Sequence, residues 1–409
     1  MGLPEPNQGT LLLRRPCPLC GETTGQPIGR LPYLVFDGSP ISGDCILVVC
    51  RECGFAFNDT PSTQADYEKY YEIQAYYFTS KTAGTGGLGK YDAARFEDLF
   101  ARVHPHIRSR AAAVFDVGCA KGGLLGTFSR NGYSNLYGVD MQTDCVEYAR
   151  SAYGISADTG SVLELPFPDT RADAIILSHV VEHIIDLKQA LSAVREKLSD
   201  DGILYVETPD ASRYGEYSTN PYQDLYLEHV NHLDMATLET LLGENGFTPL
   251  QSGRCVLEAS AVSHVPCVWA VFRKGKPEKR PKISLQQSLT RYVAWSATHP
   301  AYGNFSELTR TGRPIYLWGI TQYAQLLLGQ EALAERAVCG FIDMDPSKRS
   351  RTLNNRPVNG PDILLREERE CSLIVTAPGY EEDIARSLTD YRFRGRAYTA
   401  SGAELRYQY

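Results

Sequence analysis

The sequence predicts an α/β protein in three parts: a small metal-stapled module, a central α/β domain with a mainly parallel sheet, and a second α/β domain of the same plan. Three observations predict it. Two Cys-x-x-Cys pairs lie before any βαβ pattern. The apolar run Val114–Val117 then enters a small-residue turn, GCAKGG, and the next strand-like run closes on Asp140. A comparable strand, turn and acidic residue recur at RPIYLWG and Asp343. The 409 residues exceed one core, since a domain takes about 100–200. The segments divide as 1–85 for the module with a tyrosine-rich stretch, 86–275 for the central domain, 276–300 for a linker and 301–409 for the last domain.

Composition narrows the function classes. A hydrophobic content of 43% suits a globular chain. The net charge of −8 carries no basic excess, so no nucleic-acid partner is expected. No apolar run reaches the roughly 20 residues that a membrane span needs. The start, MGLPEPNQGT, lacks the basic and apolar regions of a signal peptide. Pro6 also breaks the myristoylation pattern. A soluble, cytoplasmic protein is the expectation.

In the module, Cys17/Cys20 and Cys50/Cys53 each make a tight turn followed by glycine, Gly21 or Gly54. Two such turns supply four thiolates to a tetrahedral zinc ion. A segment with so little core gains much of its folding energy from a metal. A closed four-sulfur shell leaves no open position, so the zinc is structural. The alternatives are a redox pair or two disulfides, and Cys45 is a spare thiol. Arg14, Arg15 and Arg51 are placed to offset the charge of the cluster. Next comes a stretch bearing Tyr67, Tyr70, Tyr71, Tyr76 and Tyr77. It serves either as packing between domains or as a substrate wall. Glycines 84, 86, 87 and 89 then mark a joint, and Phe96, Leu99, Phe100 and Val103 fall at helical spacing.

In the central domain, the small residues of GCAKGG let a ligand approach the backbone. Asp140, about 22 residues past Gly118, is placed for ribose hydroxyls. The turn is G-x-A-x-G-G, and Asp116 precedes it. A carboxylate there meets a cationic amino-acid end or sulfonium but repels a pyrophosphate. These residues resemble motif I of the class I S-adenosylmethionine-dependent methyltransferases, and ADAIILSHVVEH (read as a strand), a helix and DDGILYVETPD follow in that family's order. The resemblance implies a Rossmann-like methyltransferase domain with S-adenosylmethionine as cofactor. It implies that Gly118, Ala120 and Gly122 shape the methionine pocket and that Asp116 lies beside the cofactor. Asp140 would hold the ribose, and Ser161 or Val162 would border the adenine. Many relatives have an aspartate where this chain has Ser161.

His179 ends the fourth strand-like segment, where ligands meet open α/β sheets. The later stretch DLYLEHVNHLD should reach the same crevice before a helix capped by Asp234. The whole order of parts resembles zinc-containing sugar C-methyltransferases of the tetronitrose type, with their Tyr-x-Glu-His signature at Tyr226, Glu228 and His229. That resemblance also makes His179 and Tyr77, or else Tyr76, active-site residues. It implies a nucleotide-linked sugar as substrate. His229 would be the base that forms an enolate next to a ketone, Glu228 would orient it, and Tyr226 would stabilise the enolate oxygen. Leu227 stands where close relatives are polar. His229 as an ordinary loop histidine is the plain alternative. His232 reads as a loop or cap residue and His183 as structural. The same histidine would serve O- or N-methylation, and a non-catalytic zinc-stabilised cofactor-binding module is the rival outside enzymes. The C-terminal turn has Thr321 where a pyrophosphate would need glycine, so a cofactor is not expected there, and the resemblance implies a domain that packs beside the active site and helps wall the substrate cleft. The expected assembly is a monomer or weak homodimer.

Overall fold

The computed structural model describes residues 9–73, 89–259, 263–278, 284–310, 312–330, 338–366, 371–377 and 379–408. Tyr76 and Tyr77 lie outside the described residues.

The first sheet is antiparallel. It runs β1 (Leu11–Leu12), β2 (Thr24–Pro32), β3 (Asp44–Cys50) and β4 (Ala56–Asp59). Its fifth strand comes from far along the chain: β10 (Asn231–His232) pairs with β4, Asn231 opposite Phe57 and His232 opposite Ala56. Helix α1 (Gln64–Ile73) follows the module and buries Tyr67 and Tyr70.

The central sheet has seven strands. Along the chain they are β5 (Val114–Val117), β6 (Leu136–Asp140), β7 (Ser156–Thr159), β8 (Ala172–Ser178), β9 (Leu198–Pro209), β11 (Phe247–Glu258) and β12 (His264–Lys274). The spatial order is β11-β12-β9-β8-β5-β6-β7. Strands β5 to β9 are parallel, and β12 is antiparallel to both neighbours. The order reverses at β5, which lies between β6 and β8. That reversal opens a crevice beyond the C-terminal ends of β5 and β8.

Apolar residues form β5 because it is covered on both faces. Helix α2 (Lys90–Val103) buries Phe96, Leu99, Phe100 and Val103 against one face. The other face shares a core with the module's Cys17, Leu19, Phe55 and Phe57. The expected strand ADAIILSHVVEH is shorter than its apolar run. It ends at Ser178, His179 takes a left-handed backbone (φ 57°), and Val181–His183 form a 3-10 turn. The bend turns the histidines and Glu182 off the sheet edge, where an extended strand would have carried them past it.

The third sheet comprises β13 (Ile315–Trp318), β14 (Val338–Ile342), β15 (Thr352–Leu353), β16 (Arg356–Asn359), β17 (Ser372–Val375) and β18 (Arg396–Thr399), and is mainly parallel, in the order β15-β16-β14-β13-β17-β18. Between the two α/β sheets, the segment expected to be a linker contains a helix, Gln286–Ala297. It buries Leu289, Tyr292 and Val293 in a core with Tyr33, Tyr67, Leu225 and Leu326. Among the described residues no helix is long and apolar enough to cross a membrane.

Candidate active site

The four N-terminal cysteines converge. Cys17 and Cys53 sulfurs are 3.6 Å apart, Cys20 and Cys50 sulfurs 3.5 Å, and all four lie within 4.8 Å of one another. A tetrahedral ion with bonds of about 2.3 Å needs sulfurs about 3.8 Å apart, so the residues fit zinc. Gly21 and Gly54 both turn left-handed at φ 81°, returning each backbone N–H to the carbonyl of the first cysteine. Contact with Cys50 pushes the Cys17 thiol up to about 12, the mark of thiols that cannot all ionise without a cation.

Two of the nearby arginines also make bonds that the sequence does not show. Arg14 pairs with Asp44 at 2.7 Å. Arg15 is buried, and its guanidinium donates to the carbonyls of Asn58, Ile185 and Val230. It ties the module to the central domain. Arg51 is exposed.

At the crevice, the turn after β5 is left-handed at Gly118, Ala120 and Gly122 (φ 77°, 43° and 77°). A side chain on Gly122 would come within 2.8 Å of the Ala149 Cβ, so only glycine fits. Asp140 anchors the turn: its Oδ2 accepts the Ala120 N–H at 2.8 Å and its Oδ1 accepts the Gln142 N–H at 2.9 Å. With Met141 as a third backbone donor, the carboxylate keeps one acceptor site for a ligand hydroxyl. Asp116 is buried, and that burial pushes its carboxyl up to about 7 against the pull of Arg95. Ser161 Oγ accepts the Leu163 N–H, and Val162 is buried beneath the same edge.

From Asp116 a chain of charges crosses the crevice. Arg95 donates to Ser178 at 2.7 Å and lies 3.6 Å from Glu207. Glu207 is 2% exposed and also holds Arg102 at 2.9 Å and the Tyr205 hydroxyl at 2.8 Å. His179 sits between two carboxylates, with Nδ1 3.0 Å from Glu182 Oε1 and Nε2 3.6 Å from Glu207 Oε1. Burial opposes its protonation, but the two carboxylates prevail and push it up to about 9. His179 is therefore an imidazolium at neutral pH.

His229 is the opposite case. Burial first, and His183 next, hold its pKa well below the usual imidazole range, with Glu182 working against them. It stays neutral, and its Nδ1 is buried without a hydrogen-bond partner among the described residues. The His183 ring stands 4.9 Å away, edge-on, and the Tyr226 ring 4.8 Å away. His183, which reads as structural in the sequence, is thus the histidine against His229, while His179 lies one step further along the network. The Glu228 carboxylate faces elsewhere. It accepts from Tyr70 Oη at 3.0 Å and Gln322 Nε2 at 2.5 Å. His232 is in β10, bonded to Tyr214 and Asn58, and is structural.

The segment carrying Tyr226, Glu228 and His229 has little regular structure, and it is clamped from three sides. Tyr33 Oη donates to the Leu225 carbonyl and Tyr67 Oη to the Leu227 carbonyl, both at 3.1 Å. Asn58 holds the His229 carbonyl at 2.9 Å, and Arg15 holds that of Val230 at 3.0 Å. From the C-terminal domain, Gln322 Oε1 accepts the Leu227 N–H at 2.7 Å. In that same domain Asp343 accepts the Ile320 N–H and Lys348 Nζ. The acid that could hold a ribose is thus engaged by the domain's own lysine.

Sequence reasoning did not find Arg95, Glu182, Glu207 or Gln322. Only Glu207 left a signal, as a lone charge inside the apolar strand run ILYVETP.

Residues 89–252 match the family model described as "Methyltransferase domain". A curated relative from Streptomyces fradiae, an uncharacterized 37.1 kDa protein in transposon TN4556, is 27% identical over 229 residues, 53% of this chain and 61% of that protein. A probable S-adenosylmethionine-dependent methyltransferase of Mycolicibacterium smegmatis is 27% identical over 151 residues, 36% of this chain and 56% of that protein. One of the same description from Mycobacterium tuberculosis is 26% identical over 164 residues, 39% and 57%. The chain thus spans less than two thirds of the length of these relatives. With the sheet order, these matches make the central unit a class I methyltransferase domain, of the kind that uses S-adenosylmethionine.

The clamp generates a test. Gln322→Ala removes a hydrogen bond to a carboxylate and one to a buried N–H, so methyl-transfer kcat should fall by roughly 10-fold or more. Affinity for S-adenosylmethionine, measured by calorimetry, should stay within about twofold, because the turn at Gly118 is untouched. An unchanged kcat would show that the C-terminal domain does not position the loop.

Proposed function

We propose that this protein is an S-adenosylmethionine-dependent methyltransferase whose acceptor is a sugar, carried on a nucleoside diphosphate and methylated at the carbon next to a keto group. The observation that carries the reading is His229: a neutral imidazole with an unpartnered nitrogen, on a clamped loop, near the charged series Glu182, His179, Glu207 and Arg95 that leads toward Asp116. The resemblance of the whole order of parts to sugar C-methyltransferases supports the acceptor class.

When bound, S-adenosylmethionine supplies an electrophilic methyl group. Gly118, Ala120 and Gly122 would line its amino-acid end, Asp140 its ribose, and Ser161 and Val162 its base. Asp116 would face positive charge. His229 removes the proton beside the ketone through its free lone pair. Tyr226, beside that ring, supports the negative charge that develops on the substrate oxygen. Glu228 acts on the loop through Tyr70 and Gln322, and Glu182 is the acid that steadies positive charge arriving at His229. His179, already cationic, contributes fixed positive charge. Tyr77 is retained as an active-site tyrosine on the resemblance alone. The four thiolates of Cys17, Cys20, Cys50 and Cys53 would bind a structural zinc that holds the clamping module together.

Three outcomes test this. In deuterated water, a keto sugar nucleotide should take up deuterium at the carbon beside its ketone. His229→Gln should stop that exchange and lower kcat by about 10²–10⁴ while cofactor binding survives. Methylation without exchange would remove the enolate and favour a hydroxyl acceptor. For pH, Asp116 is protonated below about 7 in the free protein, and a bound sulfonium pulls that value down. Cofactor affinity should therefore rise with pH through 7 and level off above it, with a proton released on binding below 7, read by calorimetry in buffers of different ionisation enthalpy. For the metal, Cys20→Ser or displacement by a strong chelator should release the ion and melt the module, and methyl transfer should go with it. Retained activity in metal-free protein would separate the module from the site.

A further inference from the structure

We infer that Glu182, His183 and His229 form a second cation site, for a zinc-class transition-metal ion, separate from the four-thiol cluster. One ligand atom from each of the three lies within 4.8 Å of the others. Two imidazoles and one carboxylate are a donor set for zinc, manganese or iron rather than for magnesium or calcium. Three protein ligands also leave a coordination position open.

The surroundings are those of a held site. His183 Nδ1 lies 3.1 Å from the Glu228 carbonyl and 2.8 Å from the Tyr71 hydroxyl. A carbonyl only accepts, so Nδ1 carries the hydrogen and Nε2 presents its lone pair. That is the outer-shell bond that orients a metal-binding imidazole. Glu182 is 1% exposed, with Oε2 fixed by the Thr208 hydroxyl at 3.2 Å. Its Oε1 makes no aligned hydrogen bond, and neither does His229 Nδ1, among the described residues. A cation held by a Glu182 oxygen and a His229 ring nitrogen would give such buried atoms a partner. Oε1 does lie 3.0 Å from His179 Nδ1. His179 has a second carboxylate, Glu207, at 3.6 Å, so Glu182 can turn to a cation without stranding it.

Filling this site takes the ring lone pair of neutral His229. An ion there and proton removal by His229 exclude each other, so added metal becomes an inhibitor. That consequence rests on the function proposed above, whereas metal uptake does not.

The experiment starts from full-length protein carrying its thiolate zinc and adds Zn²⁺ by equilibrium dialysis. Wild type should take up one further equivalent, and Glu182→Gln and His183→Ala should take up none while keeping the first. Uptake unchanged in folded Glu182→Gln and His183→Ala proteins would overturn the proposal, as would no uptake by wild type. Because either variant may be poorly folded, Co²⁺ provides a readout on wild type alone. The added ion should show weak visible bands of nitrogen and oxygen ligation, and intense thiolate charge-transfer bands alone would place it in the cysteine cluster and refute the site. In the activity arm, Zn²⁺ should inhibit methyl transfer and a chelator should restore it. Uptake without inhibition would keep the site and remove His229 as the base.

Discussion

A backbone that folds without a helix or sheet ladder still needs partners for its buried carbonyls and amides. The stretch from Leu225 to Val230 is such a backbone, and it carries the tyrosine, glutamate and histidine at the centre of the site. Its own residues satisfy it only in part, through the Tyr226 and Glu228 carbonyls that accept the His229 and Val230 N–H groups. Tyr33, Asn58, Tyr67 and Arg15 supply donors from the N-terminal module, and Gln322 supplies both a donor and an acceptor from the C-terminal domain. The first and last parts of the chain are therefore two walls of a loop that the central part carries. The module bears on the site because its side chains hold the carbonyls of this loop in place.

Charge in the crevice follows a similar economy. Two buried glutamates, Glu182 and Glu207, face two arginines and a protonated histidine. Each buried charge has an opposite neighbour, which is the condition for keeping any of them ionised away from water. The two imidazoles at the edge of this network are set apart by what they face. His179 lies between carboxylates and holds a proton; His229 lies against another imidazole and does not. One residue type thus supplies a fixed cation and a free lone pair within a few residues of each other in space.

Much of the fold was legible because its signals are local. Val114–Val117, the glycine turn and the Asp140 strand end are short-range patterns, as is Asp234, whose side chain caps its helix by accepting the Thr237 N–H at 2.8 Å. The convergence of four sulfurs follows from two turns of fixed geometry. The clamp was not legible, since its bonds join residues far apart: Arg15 reaches Val230 across a separation of 215 residues. Sequence proximity places Arg15 beside the cysteines and gives no hint of the three carbonyls that its guanidinium also reaches. The break at His179 was hidden for a related reason. The apolar run continues past Ser178, but the ladder ends where the His179 N–H meets the Glu207 carbonyl and the backbone turns left-handed.

The pairing of Asn231–His232 with Ala56–Asp59 has a consequence for biosynthesis. The fourth strand of the module leaves the ribosome about 170 residues ahead of the pair that covers its edge. At roughly 5–20 residues per second, that edge stays open for on the order of 10 to 35 seconds. An uncovered strand edge is a template for pairing with another chain. Crowded translation, slow codons before residue 232 or truncated products should therefore favour chain-to-chain capture at this strand, and early metal loading would do nothing to close it.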